Sequence, residues 1–73
     1  MEQYLAYEQV VCEACLYEIA RSETRTVPEE TRDFMIAAAE EYDRLPIRRL
    51  IRCPRCDGPS AKRVVSMPLA KAN

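Results

Sequence analysis

Two cysteine pairs of identical spacing constrain the fold of this chain more than any other feature. Cys12 and Cys15 form the first C-x-x-C pair, and Cys53 and Cys56 form the second, far along the chain. Each pair can turn both sulfur atoms toward one point, and two pairs together supply the four thiolates that a tetrahedral zinc ion takes in a structural site. The sequence therefore predicts one Zn²⁺ bound by all four cysteines.

Other uses of four cysteines stay open at this point. Disulfides would allow three connectivities, but the N-terminal segment carries Glu2 and no basic leader, which does not indicate a secretory signal. We expect a cytoplasmic protein, and in a reducing cytoplasm paired thiols are more often metal ligands than disulfides. A thioredoxin-like redox site is disfavoured because a βαβ context is missing. An iron site uses the same ligands, so the sequence does not separate iron from zinc.

The length of the chain favours a fold that is stabilised by a bound metal, by disulfides or by a partner chain. A chain of 73 residues with one Phe and no Trp buries little of its surface and is marginally stable on its core alone. We expect a single zinc-binding domain over residues 1–73, with loose ends at residues 1–7 and 66–73. No stretch approaches the roughly 20 apolar residues of a membrane span.

The middle of the sequence predicts one α-helix over about residues 27–45. Thr26 and Glu29 form a capping-box pattern, and Pro28 falls in the first turn, where its missing N–H costs nothing. Pro46 ends the helix, because it disfavours helical geometry at the residue before it. Apolar residues at helical spacing predict the packed face: Phe34, Ala38, Tyr42 and Leu45, widened by Met35 and Ala39.

The segments around the cysteines favour short strands. Val10 and Val11 predict a strand that runs into the first pair. Residues 16–23 fit a short helix or a return strand about equally, whereas residues 46–53 indicate an extended arm and residues 61–67 a β-branched return strand. The predicted fold class is therefore α+β: a small zinc-stapled domain in which short strands carry two knuckles around one central helix.

Both cysteine pairs resemble those of zinc-ribbon or zinc-knuckle modules. In the second pair, Pro54 stiffens the turn and Gly58 can take the positive φ that a knuckle needs. The positions that carry the resemblance are Cys12, Cys15, Cys53, Pro54, Cys56 and Gly58. Zinc ribbons normally connect their pairs through strands, whereas a helix intervenes here. We therefore expect a helix packed on a small sheet that bears the knuckles.

The whole chain resembles small phage-encoded transcription regulators that inhibit host bacterial RNA polymerase. Its size, compact cysteine arrangement and Arg/Ala-rich composition carry this second resemblance. The resemblance implies direct binding to RNA polymerase subunits in the host cytoplasm, with inhibition or redirection of transcription. It assigns no role to any individual residue.

The net charge of −1 conceals a division between the two halves of the chain. Residues 1–43 hold eleven of the twelve acids and three basic residues, whereas residues 44–73 hold eight basic residues and one acid. Either the halves neutralise each other within the fold, or they present charged surfaces to partners. The candidate partner-binding residues are Arg44, Arg48, Arg49 and Arg52 on the basic arm, or Glu29, Glu30, Asp33, Glu40 and Glu41 on the helix.

The residue inventory argues against catalysis. The chain has no histidine, which is the commonest general base and a frequent ligand of open zinc sites. We therefore expect a non-enzymatic protein-binding module that is monomeric when free, and the resemblance to phage regulators implies that it acts on transcription machinery. The alternative is a zinc ribbon that binds nucleic acid through its basic C-terminal half. A pI near 5.4 and the absence of aromatic residues from that half weigh against it. In a third reading, the helix stripe pairs with a partner helix.

Overall fold

The fold is a four-stranded antiparallel sheet with one α-helix against it, in a computed structural model that describes residues 2–69. In chain order the elements are β1 (Gln3–Cys12), β2 (Glu18–Arg21), β3 (Arg25–Pro28), α1 (Glu29–Arg44), a 3₁₀ turn (Pro46–Arg49) and β4 (Ser60–Pro68). The predicted α+β class with one central helix is confirmed, and so are the strands on either side of the cysteine pairs.

The long strand β1 organises the sheet. On one side it pairs with β4 along its length, from Tyr4 opposite Pro68 to Cys12 opposite Ser60. On its other side, β3 pairs with the N-terminal half of β1 and β2 with the C-terminal half. Because β1 ends at the first cysteine and β4 begins just after the second pair, this antiparallel register brings both pairs to one end of the sheet.

A small core lies between the sheet and α1. It consists of Tyr4, Ala6, Val27 and Met35, with Val64 packed against it. Tyr4 and Ala6 are two residues apart and so face the same side of β1. Most of these side chains are small, which leaves the domain with little apolar burial for its length.

The prediction of loose ends at residues 1–7 and 66–73 is wrong for most of these residues. Residues 3–7 lie in β1, and residues 66–68 lie in β4. The two segments are each other's strand partners, a pairing between distant parts of the chain that no local pattern reveals. Met1 and residues 70–73 lie outside the described residues.

The helix begins later than predicted and without the predicted cap. Its first residue is Glu29, and Pro28 occupies the N-cap position with no side-chain hydrogen bond. Thr26 belongs instead to β3, where it pairs with Leu5, so the capping-box interpretation is wrong. The C-terminal end agrees with the prediction, since α1 ends at Arg44 and Leu45 is extended.

The packed face of α1 is also shifted from the predicted stripe. Met35 and Ala39 are buried, whereas Phe34 is 73% exposed and Leu45 is 44% exposed. The face toward the sheet runs through Met35, Ala39 and half-buried Tyr42 at helical spacing, and Asp43 near the end of α1 accepts a hydrogen bond from the backbone of β4 at 2.9 Å. Phe34, Ala38 and Leu45, the rest of the predicted stripe, are exposed.

The structure also gives the conformation of three other segments whose secondary structure was predicted differently, left open or not predicted. Residues 46–53 do not form an extended arm: they open with the 3₁₀ turn, which a hydrogen bond from Leu50 N–H to Ile47 O extends at 2.9 Å. Residues 18–21 form β2, so the strand alternative is correct for the segment that follows the first pair. Strand β3 was not predicted, because its four residues carry no alternating pattern.

Candidate metal centre

The four cysteines meet at one end of the sheet, with all Sγ atoms within 4.8 Å of one another. Cys12 Sγ lies 3.3 Å from Cys56 Sγ, and Cys15 Sγ lies 3.6 Å from Cys53 Sγ. A tetrahedral zinc ion with bonds of about 2.3 Å would hold any two sulfurs roughly 3.8 Å apart. All four are free thiols, and their spacing and softness therefore fit a single thiophilic metal ion.

The two cysteine turns repeat the same backbone hydrogen bonds. These run from Leu16 N–H to Cys12 O (2.9 Å) and from Cys12 N–H to Tyr17 O (2.8 Å) in the first turn, and from Asp57 N–H to Cys53 O (2.9 Å) and from Cys53 N–H to Gly58 O (3.0 Å) in the second. The first cysteine of each pair is buried and the second is exposed. The site is thus built from two equivalent knuckles whose four sulfur atoms converge on one point.

Each knuckle closes through a residue in the left-handed region. Leu16 has φ 65° and Asp57 has φ 62°, and each directly follows the second cysteine of its pair. The expectation that Gly58 supplies the positive φ is wrong, because its φ is not positive. Asp tolerates this conformation better than most residues, whereas Leu does not. The sequence therefore gave no signal for Leu16.

Gly58 is required for a different reason, which is space. A Cβ atom at this position would lie 3.0 Å from Cys12 Sγ, 3.2 Å from Ala14 Cβ and 3.3 Å from Cys56 Sγ. The first contact is at the limit that real Cβ atoms reach, and the other two are tighter than most. The absent side chain thus lets the second knuckle close against the first.

Backbone donors stabilise negative charge on the sulfurs. Cys15 N–H donates to Cys12 Sγ at 3.3 Å, and Arg55 N–H donates to Cys53 Sγ at 3.3 Å. The Cys15 N–H lowers the pKa of the Cys12 thiol to about 6. The hydrogen bond to Cys12 raises the pKa of the Cys56 thiol to about 12.

The basic arm lies beside the knuckles, and three of its four arginines are in ion pairs. Arg48 pairs with Glu13 in the first knuckle, and Arg52 pairs with Asp57 in the second at 3.0 Å. Arg44 lies 3.6 Å from Glu41 within α1. Arg49 forms no ion pair with any of residues 2–69. The proposed role of all four arginines in binding a partner stays a prediction.

Contacts between the acidic and basic halves neutralise part of the charge division. Lys62 Nζ on β4 lies 3.0 Å from a Glu8 carboxylate oxygen on β1, and the Arg48–Glu13 pair also joins the two halves. On the acidic helix face, Arg32 lies 2.7 Å from Asp33 and 3.7 Å from Glu29. The charged surfaces are therefore smaller than the sequence division alone suggests.

The sheet, the single helix and the cysteine cluster together define a small α+β domain with the donor set of a metal-stapled module. Comparison with protein-family models, with curated proteins and with solved structures finds no match to this chain. Within residues 2–69, no helix combines the length and apolar composition required to cross a membrane. The chemistry of the site therefore rests on the geometry of this chain itself.

Proposed function

We propose that this chain is a zinc-stapled, non-enzymatic module that binds another protein, with RNA polymerase as the partner. The observation that carries the zinc assignment is the convergence of four thiol sulfurs from two equivalent knuckles within 4.8 Å. A four-thiolate zinc shell is closed to water and serves structure rather than catalysis. In a reducing cytoplasm, the thiols stay available for the ion.

The ion would join two segments that are distant in sequence at one end of the sheet. β1 leads into the first knuckle, and β4 leaves the second. Zinc binding by four thiolates contributes about 10 kcal/mol or more to folding in small zinc domains. The ion would therefore hold the β1–β4 pair in register and fix the basic arm between the helix and the second knuckle.

Native mass spectrometry with site variants tests the zinc assignment. Protein purified from cells grown in zinc-supplemented medium is expected to carry one zinc ion per chain. Cys53→Ser should lose it, whereas Ser66→Ala, a β4 change outside the cluster, should keep it. A metal-free chain that remains folded, or a chain that carries iron instead of zinc, would contradict the assignment.

The proposed partner rests on the resemblance to phage transcription regulators and on the exposed basic arm. Arg49 is exposed and unpaired among residues 2–69, and Arg44 is exposed with only a 3.6 Å contact to Glu41. Both can meet an acidic surface without breaking a short ion pair. Nucleic acid is the weaker alternative, since Lys62, Arg48 and Arg52 are each held by an acid of the same chain.

Binding to purified bacterial RNA polymerase tests this part of the proposal. The zinc-loaded chain should bind the polymerase in surface plasmon resonance. The double variant Arg44→Ala/Arg49→Ala should bind at least tenfold more weakly, and Arg63→Ala, an exposed arginine on β4, should bind normally. No binding at micromolar polymerase would reject this partner. A salt-sensitive gel shift with DNA in its place would favour the nucleic-acid alternative.

A further inference from the structure

The direct sulfur–sulfur contacts of the cysteine cluster join one knuckle to the other. Cys12 Sγ lies 3.3 Å from Cys56 Sγ, and Cys15 Sγ lies 3.6 Å from Cys53 Sγ. Four cysteines allow three disulfide connectivities, and these two contacts make up one of the three. Neither of the other two connectivities uses a pair of sulfurs in such contact. A disulfide bond is about 2 Å long, so small movements of the side chains bring each contacting pair to bonding distance.

Each of these contacts combines an exposed cysteine with a buried one. Cys15 and Cys56 are exposed, whereas their partners Cys53 and Cys12 are buried. Cysteines that bind a metal are deprotonated, and oxidation follows thiolate character and exposure. Cysteines that react with an oxidant are often placed next to a second cysteine that completes a disulfide. Each pair therefore offers one sulfur that an oxidant can reach and a second sulfur beside it.

We propose that hydrogen peroxide converts the cluster into two disulfides, Cys12–Cys56 and Cys15–Cys53, each of which joins the two knuckles. Peroxide oxidises the exposed thiolate to a sulfenic acid: the O–O bond breaks, an S–O bond forms and hydroxide leaves. The buried thiolate then attacks the sulfenic sulfur, the S–S bond forms and a second hydroxide leaves. Each disulfide consumes one peroxide, and the four hydroxides released by the two reactions take up four protons from solvent.

The two disulfides would replace the ion as the link between the knuckles. A disulfide sulfur is no longer a thiolate ligand, so oxidation releases the metal. This release rests on the proposed zinc assignment, whereas the pairing of the sulfurs rests on the geometry of the cysteines alone. The domain thus has a second linked state, which forms under oxidising conditions.

The oxidised chain should keep its sheet. Cys12 and Cys56 are 44 residues apart, and Cys15 and Cys53 are 38 residues apart, whereas the two cysteines of one knuckle are three residues apart. A link that closes a longer loop constrains the unfolded chain more strongly. Because Cys12 ends β1 and the second knuckle leads into β4, links between the knuckles hold these two strands in register.

Peptide mapping of the oxidised chain tests the connectivity. The zinc-loaded protein is treated with hydrogen peroxide, remaining thiols are alkylated, and the chain is digested without reduction by trypsin together with a glutamate-specific protease. These enzymes place every cysteine on a peptide of its own, namely residues 9–13, 14–18, 53–55 and 56–62. Mass spectrometry should find 9–13 linked to 56–62 and 14–18 linked to 53–55. A zinc indicator should record the release of one ion per chain.

The same chain, unfolded in urea with a chelator before oxidation, is the control. Cysteines that are close along the sequence meet more often in an unfolded chain, so links within each C-x-x-C pair should dominate there. Links within the pairs in the folded chain would overturn the proposal, and so would sulfinic or sulfonic acids in place of disulfides. Equal yields of the links between knuckles with and without urea would also overturn it, because the fold would then not direct the pairing.

Hydrogen exchange tests whether the disulfides preserve the sheet. The amide of Ala6 should stay protected in the oxidised chain with chelator present, and it should lose its protection in the reduced chain with chelator. Loss of protection in both would overturn the second linked state. Native mass spectrometry of the untreated chain reads the zinc assignment separately. A zinc-loaded chain that forms other disulfides contradicts this inference alone, whereas a metal-free chain that forms these two contradicts the zinc assignment alone.

Discussion

The phenol oxygen of Tyr42 lies 2.8 Å from Oγ of Ser60, and Ser60 Oγ donates to the carbonyl oxygen of Arg48 at 2.8 Å. Because the single hydroxyl proton of Ser60 goes to that carbonyl, Tyr42 is the donor in the first bond. Ser60 is fully buried and lies opposite Cys12 in the sheet. One hydroxyl therefore ties α1, the 3₁₀ turn and β4 together beside the first knuckle.

Replacing Ser60 should destabilise the domain more than replacing its partner. Ser60→Ala leaves both the Tyr42 hydroxyl and the Arg48 carbonyl without their partner, at an expected cost of about 1–3 kcal/mol in the free energy of unfolding. Tyr42→Phe removes one bond and leaves the serine–carbonyl bond intact, at about 0.5–1.5 kcal/mol. Urea denaturation of the zinc-loaded variants measures both values. Equal costs, or a neutral Ser60→Ala, would show that the hydroxyl does not join the three elements.

A methyl group at Gly58 should weaken metal binding. In Gly58→Ala, the new Cβ would lie 3.0 Å from Cys12 Sγ and 3.3 Å from Cys56 Sγ, so the knuckles must separate. We expect a fall in zinc affinity of about 10- to 100-fold, the range seen when groups that orient metal ligands are altered. Competition with a chromophoric chelator measures the affinity. Arg63→Ala, exposed on β4, is the control and should bind zinc normally.

Replacing Leu16, the left-handed residue of the first knuckle, with glycine should stabilise the domain. The left-handed region costs a residue such as Leu16 about 1–2 kcal/mol, whereas glycine adopts it freely but loses about 0.5–1 kcal/mol of chain entropy on folding. Leu16→Gly should therefore raise the free energy of unfolding by about 0.5–1 kcal/mol. Leu16→Ala removes the exposed side chain but keeps the backbone strain, so it should be close to neutral. Equal effects of the two substitutions would assign the change to the side chain instead.

The corresponding glycine substitution in the second knuckle should not stabilise the domain. Asp57 tolerates the left-handed region better than leucine does, and Asp57→Gly also removes the 3.0 Å ion pair with Arg52. An exposed ion pair contributes about 0–1 kcal/mol. We expect Asp57→Gly to be neutral or slightly destabilising under the conditions in which Leu16→Gly stabilises. Thermal unfolding of both variants, loaded with zinc, gives the comparison.

The two cysteine turns and the helix could be predicted because local spacing determines them. Each C-x-x-C pair places its own two sulfurs close together, and Pro46 ends a helix wherever the helix lies, whereas the meeting of the two pairs depends on the β1–β4 register. The face that α1 buries could not be predicted in the same way. Phe34 and Met35 are adjacent in sequence, and the burial of Met35 rather than Phe34 depends on the packing of α1 against β4, β1 and β3, which joins parts of the chain that are distant in sequence.

The backbone conformation of the knuckles and the role of Gly58 could not be predicted either, because both depend on contacts between distant parts of the chain. A glycine after the second cysteine pair suggested a backbone role, yet the left-handed residues are Leu16 and Asp57. The need for glycine at position 58 comes from the sulfurs of both pairs and is visible only when the knuckles face each other. Likewise, the terminal strands are stabilised by their mutual pairing and not by strong local propensity.

Removal of the metal should unfold the whole domain and not only the knuckles. The largest cluster of buried side chains in the described residues holds only Tyr4, Ala6, Val27 and Met35, with Val64 packed against it, whereas a four-thiolate zinc site contributes about 10–16 kcal/mol in small zinc domains. With excess chelator and a reductant that keeps the cysteines as thiols, circular dichroism should lose its sheet and helix signals together, and added zinc should restore them. Hydrogen exchange supplies the sharper readout: the amide of Ala6, in the core and far along β1 from Cys12, should lose its protection on chelation. Retained protection at Ala6 would mean that the β1–β4 pair and its small core hold together without the ion.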